Sequence, residues 1–574
     1  METTTLKIPT KNKRRFLPDH FTIDAWEKLV PYFEELKNRE INNVNQLENW
    51  LKDRSELEAV LEEDMAWRYI KMNIDTSDKE LASSFNFFIT AIEPKMAPYA
   101  NDFNLKLVES PYINELDQNQ YHIYIRGIKK QIDIFREENI PLNTKLQELS
   151  QKYGAISANM SIHYDDKELT LQQAANYLKK NDRKVREEVY QLINERRLQD
   201  ENELNELYTE LIQLRHQVAQ NAGFNNYRDY MFSAMGRFDY QPQDCFDFHE
   251  AIATQVMPLV NTFDAERKEQ LGLSSLKPWD TAVDPTGKDP LKPFEGGEEL
   301  IDKSIQCFHR IRPYFGERLE IMKQMKYVDL DSKKGKAPGG FNYPLHEIGV
   351  PFIYMNSVGS QRDLVTMVHE GGHAVHSFLS RDLELTGFKD APSEVAELAS
   401  MSMELLTMDY WDVFYDNEEE LKRAKKEQLE KALETLPWVA AIDKFQHWVY
   451  ENPTHTVAER YASWNAIMKT FSSHEVDWTH NERALSTLWQ KQLHLFEVPF
   501  YYIEYGMAQL GAIAVWRNYK QNPDQAIEQY IAALKLGYTK SIGEIYQTAG
   551  IAFNFTADYV KELVEFIKTE LEKV

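Results

Sequence analysis

The apolar positions in the first part of the chain recur at the spacing of an α-helix. Residues 21–40 place Trp26, Leu29, Phe33 and Leu36 on one helical face, with charged side chains between them. The same spacing predicts further helices at residues 109–139, 141–151, 171–179 and 182–222. We therefore expect this part of the chain to consist of amphipathic helices.

Helical spacing also dominates the C-terminal part of the chain. The strongest predicted helices are residues 421–436, 437–450, 483–495, 508–519 and 526–536. Gly537 follows the last of these segments, at a position where glycine commonly ends a helix. No internal repeat is evident in the chain.

Two short stretches have the pattern of strands instead. Residues 160–164 alternate between apolar and polar side chains, and residues 168–171 follow a polar turn, which predicts a small hairpin. Residues 351–356 form an apolar and aromatic run of strand length, and residues 272–297 are rich in proline and glycine and predict a long loop. The predicted fold class is therefore mostly α, with a small β element.

The helix that follows residue 363 carries a motif with a chemical meaning. Residues 369–373 are His-Glu-Gly-Gly-His, which is the H-E-x-x-H pattern. Positions i and i+4 share one helical face, so His369 and His373 are able to bind one metal ion between them. Glu370 is placed to act on a water molecule at that ion. The two glycines each cost about 1 kcal/mol of helix propensity. Their small size allows another backbone or a substrate to come close to the helix, which is a reason for this cost to be accepted.

The motif leaves the third metal ligand open. A catalytic zinc ion usually has three protein ligands and a water molecule, but Leu379 occupies the position where a related arrangement has a third histidine. Glu394 and Glu397 are the candidates. Ser393 resembles a helix N-cap, so Glu394 is explained by its place in a first helical turn. Glu397 lies among apolar residues, where a carboxylate needs a partner, and we favour it as the third ligand.

Together these segments resemble the M3 family of zinc metallopeptidases, and its oligoendopeptidase F-like branch in particular. Residues 351–355, 369–376 and 392–397 carry the resemblance, which extends to residues 204–230, 500–506, 536–537 and 549–551. It covers roughly residues 200–570, with a weaker match before them. The resemblance divides the chain into an N-terminal helical region with a hairpin, residues 1–200, and a helical catalytic region, residues 201–574.

Similarity to this family implies a helical shell around a deep channel that admits short, unstructured peptides. It implies one zinc ion per chain at the floor of the channel, close to the small β element. His369, His373 and Glu397 match the zinc ligands of the family, and Glu370 matches its catalytic glutamate. The site predicted from the motif and the site implied by the resemblance therefore coincide.

The family also has a tyrosine-rich segment whose histidine and tyrosines bind substrate and stabilise the transition state. The corresponding candidates are His494, Tyr501, Tyr502 and Tyr505. The spacing in sequence between the histidine and the tyrosines differs from the one expected throughout the family, so the resemblance does not assign a role to each residue. Each tyrosine is as well explained by core packing as by catalysis.

The charge of the chain excludes some partners. There are 66 basic and 91 acidic residues, a formal net charge of −25, and such a surface repels nucleic acid and anionic membranes. No apolar run approaches the length of a membrane-spanning helix, the N-terminal residues lack the apolar core of a secretion signal, and two cysteines form no disulfide framework. We therefore expect a cytoplasmic protein; its oligomeric state is not indicated.

Three functions are compatible with these features. The first is an oligopeptide endopeptidase that uses zinc-activated water, with Glu370 as general base. The second is a carboxypeptidase or dipeptidyl carboxypeptidase, which needs a fixed basic group for the terminal carboxylate. The third is a non-catalytic peptide-binding protein that retains the metal; the presence of Glu370 disfavours it, because metal binding does not require this residue. In the peptidases, residues 352–356 could pair with an extended substrate or be a buried strand.

Overall fold

The computed structural model describes residues 6–333, 335–337 and 339–574, and within them the protein is mostly helical. Nine helices and a hairpin form the N-terminal part. They are α1 (Trp26–Asn38), α2 (Val44–Ile74), α3 (Lys79–Phe87), α4 (Glu93–Val108), α5 (Gln118–Ile134), α6 (Asn139–Ala158), β1 (Ser161–Tyr164), β2 (Lys167–Thr170), α7 (Leu171–Ala175), α8 (Arg183–Gln199) and α9 (Glu201–Asn221). The predicted helices at 109–139 and 182–222 are each interrupted, the second at Asp200.

The middle of the chain contains the strands of a second sheet and the helix with the H-E-x-x-H motif. Its elements are α10 (Tyr227–Ala234), α11 (Pro242–Ala251), α12 (Met257–Gln270), α13 (Gly296–Ile311), α14 (Pro313–Met325), β3 (Val328–Asp331), β4 (Phe341–Tyr343), β5 (Phe352–Ser357), α15 (Gln361–Ser380), α16 (Thr386–Lys389) and α17 (Ser393–Leu406). The loop predicted at residues 272–297 is present, with one short 3₁₀ turn, Pro278–Asp280.

The C-terminal part is helical throughout. Its helices are α18 (Glu418–Glu451), α19 (Val457–Phe471), α20 (Glu482–Ser486), α21 (Leu493–Glu497), α22 (Ile503–Gln521), α23 (Pro523–Leu534), α24 (Ile542–Thr548) and α25 (Ala557–Leu571). Gly537 has φ +51°, the left-handed conformation expected of a residue just past a helix end.

Two of the predicted helix boundaries are wrong. Residues 421–436 and 437–450 form one continuous helix, α18, with Pro437 in its interior. Leu433, Leu436 and Val439 are fully buried around the proline, so tertiary packing offsets the lost backbone hydrogen bond. Residues 483–495 are not one helix but the short helix α20, a 3₁₀ turn and α21, because the backbone is extended at Gln492 (ψ 99°).

The predicted hairpin is present between β1 and β2. The strands pair antiparallel, with Tyr164 opposite Lys167. Asp165 and Asp166 both have positive φ, 55° and 56°, the backbone conformation of a two-residue hairpin turn. Thr170 ends β2 and caps α7, because its side chain accepts a hydrogen bond from the backbone of Gln173.

The second sheet has the strand order β3-β5-β4. β5 is parallel to β3 and antiparallel to β4, so both of its edges are hydrogen-bonded. Residues 352–356 therefore form a buried strand beside α15 and have no free edge to offer a substrate. In the described residues β3 and β4 are the two edge strands of this sheet, and β4 also packs against α15.

In the described residues the core consists of one large cluster of apolar side chains and two smaller ones. One of the smaller clusters lies among α1, α2, α4 and α5 and includes Trp50 and Phe103, and the other joins the β1–β2 hairpin to α8. The larger cluster includes most of the remaining helices, and within it α17 packs against both α15 and α22. These three helices bring together the H-E-x-x-H motif, Glu397 and the tyrosine-rich segment.

Candidate metal centre

The helix α15 holds the two motif histidines side by side. It begins after Ser360, whose side chain forms a capping box with Asp363. His369 and His373 follow on one face, with ring centroids 4.9 Å apart. Their side chains are 19% and 18% exposed, so a small ligand is able to reach them although the rest of the helix is largely buried.

The two glycines of the motif are explained by close packing. A Cβ atom at Gly372 would lie 2.6 Å from the Cα of Ser400 on α17, and a Cβ at Gly371 would lie 2.6 Å from Cζ of Phe308. Both distances are too short for any side chain larger than hydrogen. The close approach of α15 to α17 at Gly372 brings Glu397 to the histidines.

Glu397 and Glu394 occupy different environments. Glu397 Oε2 lies 3.4 Å from His369 Nε2 and 3.7 Å from His373 Nε2. Glu394 is also buried, but its carboxylate accepts a hydrogen bond from Tyr240 (2.6 Å) and it makes no contact with the motif histidines. Pro392, rather than Ser393, is the N-cap of α17, so the expected capping role of Ser393 is wrong.

The distances between the three donors fit a tetrahedral metal ion. Zinc binds imidazole nitrogen and carboxylate oxygen at about 2.0–2.2 Å, which places two ligand atoms of a tetrahedron about 3.3–3.6 Å apart. His369 Nε2 and His373 Nε2 lie 3.4 and 3.7 Å from Glu397 Oε2, and the three donor atoms all lie within 4.8 Å of one another. Burial alone would raise the pKa of Glu397, but contacts with the two histidines and Tyr501 lower it to about 2. The carboxylate is therefore ionised.

Glu404 is a further residue of the centre, and the sequence motif does not indicate it. Its Oε1 lies 2.7 Å from His369 Nδ1, and its Oε2 accepts a hydrogen bond from Gln428 Nε2 (3.0 Å). This contact fixes the proton of His369 on Nδ1 and leaves Nε2 free to bind a metal. The available signal was its spacing: Glu404 follows Glu397 by two helical turns and so shares its face of α17.

Glu370 lies next to the three donors without joining them. The residue is 6% exposed, and its Oε2 has no hydrogen-bond partner among the described residues. Burial raises the pKa of this carboxyl to about 7. Its backbone carbonyl accepts a hydrogen bond from Asn342 on β4 (3.2 Å), which holds the edge strand against the motif.

The tyrosine-rich segment, which leads into α22, also contacts the metal-binding side chains. The hydroxyl of Tyr501 donates a hydrogen bond to Glu397 Oε1 (2.9 Å), the oxygen that does not face the histidines. The hydroxyl of Tyr505 lies 3.5 Å from His494 Nε2, and the ring of Tyr502 packs 4.9 Å from that of His494. Burial raises the pKa of Tyr502 to about 12 and that of Tyr501 still further, so both retain their protons at neutral pH.

The protonation of His494 follows from its neighbours. Gln492 accepts a hydrogen bond from Trp438 Nε1 through Oε1 (2.9 Å), so its amide nitrogen points to His494 Nδ1 (2.7 Å). His494 therefore accepts at Nδ1 and carries its proton on Nε2, the atom that faces Tyr505. Burial lowers the pKa of His494 to about 4, so the ring is neutral and Nε2–H is a hydrogen-bond donor.

The fold and this centre together define a helical metallopeptidase, and the comparisons with known proteins agree. Residues 176–565 match the sequence profile of Peptidase family M3, and residues 16–135 match that of the Peptidase M3 N-terminal domain. The chain belongs to peptidase family M3.

Relatives of known sequence and structure extend over almost the whole chain. An Oligoendopeptidase F homolog of Borreliella burgdorferi is 23% identical over 96% of this chain and 95% of its own length. The structure of PZ peptidase A with inhibitor 2 has a TM-score of 0.91 at 27% identity, covering 97% of this chain and 99% of that one. Oligoendopeptidase-F from Enterococcus faecium shares the fold, with a TM-score of 0.65 at 15% identity over 96% and 97% of the two chains.

None of the helices in the described residues is both long enough and apolar enough to cross a bilayer.

Proposed function

We propose that this protein is a zinc-dependent endopeptidase that hydrolyses internal peptide bonds of short oligopeptides. The observation that carries the proposal is the position of Glu370, buried beside the three metal-binding side chains with one carboxylate oxygen unpaired among the described residues. Metal binding requires no such carboxylate, whereas hydrolysis requires a base at this point. The preference for oligopeptides and internal bonds is supported by the Borreliella relative, which is named an Oligoendopeptidase F homolog.

Zinc is the metal we propose, one ion held by His369, His373 and Glu397. Two imidazoles and one carboxylate are a common ligand set of catalytic zinc, which keeps a further position for water. When bound, the ion supplies a water of lowered pKa, towards about 7, and polarises the substrate carbonyl. Glu404 holds His369 in the tautomer that binds, and Tyr501 holds the second oxygen of Glu397.

Glu370 then carries the proton in both halves of the reaction. Its free Oε2 accepts a proton from the attacking water as the new C–O bond forms. The same carboxyl donates that proton to the amine that leaves when the C–N bond breaks.

We assign to His494 and Tyr505 the donors for the negative charge on the former carbonyl oxygen. The Nε2 atom of His494 and the hydroxyl of Tyr505 lie 3.5 Å apart, and the ring of Tyr505 packs against Tyr501, whose own hydroxyl is bonded to Glu397 Oε1. His494 and Tyr505 are both neutral donors, so they stabilise an oxyanion without binding other anions as strongly as a cation would. Tyr502 packs against His494 and is proposed to position it.

The free edge of β4 is the proposed place for the substrate backbone. Asn342 on this strand is hydrogen-bonded to the backbone of Glu370, so a peptide added beside β4 would lie next to the motif. Pairing of this kind binds extended peptides through main-chain hydrogen bonds. This arrangement favours unstructured substrates, in agreement with the channel implied by the family resemblance.

The test is digestion of an internally quenched peptide of about ten residues, a length chosen for an enclosed site, in parallel with unfolded casein. Product masses identify the cleaved bonds, and a chelator followed by added zinc shows metal dependence. Internal cleavage of the peptide and sparing of casein are expected. Release of C-terminal residues or dipeptides alone would establish the carboxypeptidase alternative, and a zinc-loaded protein without any turnover would establish the peptide-binding one.

The sequence also predicts the cellular location, the partners that are excluded and the boundary between the two regions of the chain. The cytoplasmic location is supported by two free, buried cysteines and the acidic surface, which also argues against nucleic-acid and membrane partners. The boundary near residue 200 between the N-terminal and catalytic regions remains a prediction. Limited proteolysis would test it.

A further inference from the structure

A second group of metal-binding side chains lies between two other helices. Cys245 and His249 are one turn apart on α11, and Asp443 and His447 are one turn apart on α18. The i, i+4 spacing directs each pair to one helical face, and these two helices pack against each other. We call these four residues the α11–α18 cluster; none of them belongs to the centre built on the H-E-x-x-H motif.

The donor atoms of the α11–α18 cluster are as close together as those of a metal site. Cys245, Asp443 and His447 each offer a donor atom within 4.8 Å of the other two. His447 Nε2 lies 3.2 Å from Asp443 Oδ2, which is close to the separation of two ligands on a tetrahedral zinc ion. His249 Nε2 lies 2.8 Å from the same oxygen, at hydrogen-bond distance.

The cluster is fully buried and incompletely hydrogen-bonded. The side chains of Asp443, His447 and His249 are 0%, 2% and 2% exposed. Among the described residues, Asp443 Oδ1, both ring nitrogens of His447 and His249 Nδ1 have no hydrogen-bond partner. The ring of His447 is instead packed against Phe246 (4.8 Å) and Phe500 (5.5 Å). Unpaired polar atoms in an apolar core are costly, and a bound ion is a physical reason for them.

We propose that the α11–α18 cluster binds a second zinc ion, with Cys245, Asp443 and His447 as ligands. The sulfur, the imidazole and the two carboxylate oxygens supply four donor atoms. A thiolate and a carboxylate together carry two negative charges, which one divalent cation neutralises at this buried position. Thiolate and imidazole donors select zinc over magnesium or calcium. The hydrogen bond from His249 to Asp443 orients the carboxylate, as residues hydrogen-bonded to metal ligands commonly do.

The role of this ion is structural. The ligands are closed off from solvent, which suits a site that is filled during folding and takes no part in turnover. Gln446, between two of the cluster residues on α18, accepts a hydrogen bond from the backbone N–H of Phe500 (2.6 Å). Phe500 has φ +68° and precedes Tyr501. The second ion would therefore stabilise the helix that holds the tyrosine-rich segment in place; this proposal does not depend on the peptidase reaction.

Cobalt spectroscopy tests the proposal without any substitution. The protein is freed of metal by a chelator under denaturing conditions, refolded with Co²⁺ and passed through a desalting column. The motif centre has only nitrogen and oxygen donors, so a thiolate-to-cobalt charge-transfer band in the near ultraviolet is expected only from the α11–α18 cluster. For the protein refolded with Zn²⁺ in place of Co²⁺, mass spectrometry is expected to find two zinc ions per chain. A single ion per chain together with no thiolate band would overturn the proposal.

Variants then assign the ligand. His373→Ala is expected to reduce the zinc content from two ions to one and to keep the thiolate band, whereas Cys245→Ser is expected to abolish the band. Cys307→Ser is the matched control, because Cys307 is also buried and its thiol donates a hydrogen bond to the backbone carbonyl of Tyr410. A band that survives Cys245→Ser but disappears in Cys307→Ser would contradict the assignment. If Cys245→Ser does not fold, the spectrum of the unsubstituted protein decides.

Discussion

Replacement of Glu404 by alanine is the sharpest test of how the motif centre holds its metal. The Oε1 atom of Glu404 lies 2.7 Å from His369 Nδ1, and the side chain is only 13% exposed. A hydrogen bond to a charged group contributes about 1.5–3 kcal/mol, and each 1.4 kcal/mol is a tenfold change in affinity. Glu404→Ala should therefore weaken zinc binding by about 10- to 150-fold.

The charge of Glu404 can be separated from its geometry. Glu404→Gln keeps an oxygen that accepts from His369 but removes the negative charge, so its effect should be smaller, near the value of about 0.5–1.5 kcal/mol for a neutral hydrogen bond. Zinc affinity is measured by competition with a fluorescent chelator, and activity is measured at buffered free zinc. Glu418→Ala is the control, since that side chain is 83% exposed on α18.

The expected order of zinc affinity is the unsubstituted protein, then Glu404→Gln, then Glu404→Ala. Excess zinc should restore most of the activity of both variants, because Glu404 does not touch the substrate. A folded Glu404→Ala protein whose zinc affinity stays within threefold of the unsubstituted value would refute this account of the centre.

Three further predictions concern the tyrosine-rich segment and the packing of the motif helix. Tyr505→Phe should lower kcat by about 10²–10³-fold, the usual loss of one oxyanion donor, with zinc content unchanged by mass spectrometry. Gln492→Leu removes the donor that fixes the tautomer of His494 and should lower kcat by more than about tenfold with little change in KM. Gly372→Ala forces α15 from α17 and should destabilise the protein by about 1–3 kcal/mol, seen as a lower Tm, whereas Gly543→Ala, with no atom within 4 Å of its added Cβ, should not.

Each of these three has a distinct contradicting result. Full kcat in Tyr505→Phe would show that its hydroxyl only packs against the centre. A raised KM with unchanged kcat in Gln492→Leu would assign His494 to substrate binding alone. Equal Tm values for the two glycine variants would show that the helices tolerate a wider separation at Gly372 than the structure indicates.

The sequence predicted the parts of the centre that depend on local spacing. His369 and His373 share a helical face whatever the rest of the fold, so their proximity follows from the motif. The preference for Glu397 over Glu394 rested on its apolar neighbours, and the structure places Glu397, not Glu394, beside the histidines. The hairpin at residues 160–171 was predicted for the same reason, because its turn and alternation are local.

The missed features depend on contacts between distant segments. Glu404 is one of many glutamates on predicted helices, and only its contact with His369 distinguishes it. The α11–α18 cluster joins Cys245 to His447 across a large part of the chain, so neither spacing alone indicates a site. Periodicity predicts a helix start at Pro437, but buried packing keeps α18 continuous, a tertiary effect that local spacing does not reveal.

The central claim is that Glu370 is the base of a metal-dependent peptidase. The most direct measurement compares kcat of the unsubstituted protein and Glu370→Gln on the internally quenched peptide, with the zinc content of both determined in the same samples. The account predicts a loss of at least about 10²-fold in kcat with unchanged zinc in the motif centre. Turnover near the unsubstituted level in a zinc-loaded Glu370→Gln protein would contradict it.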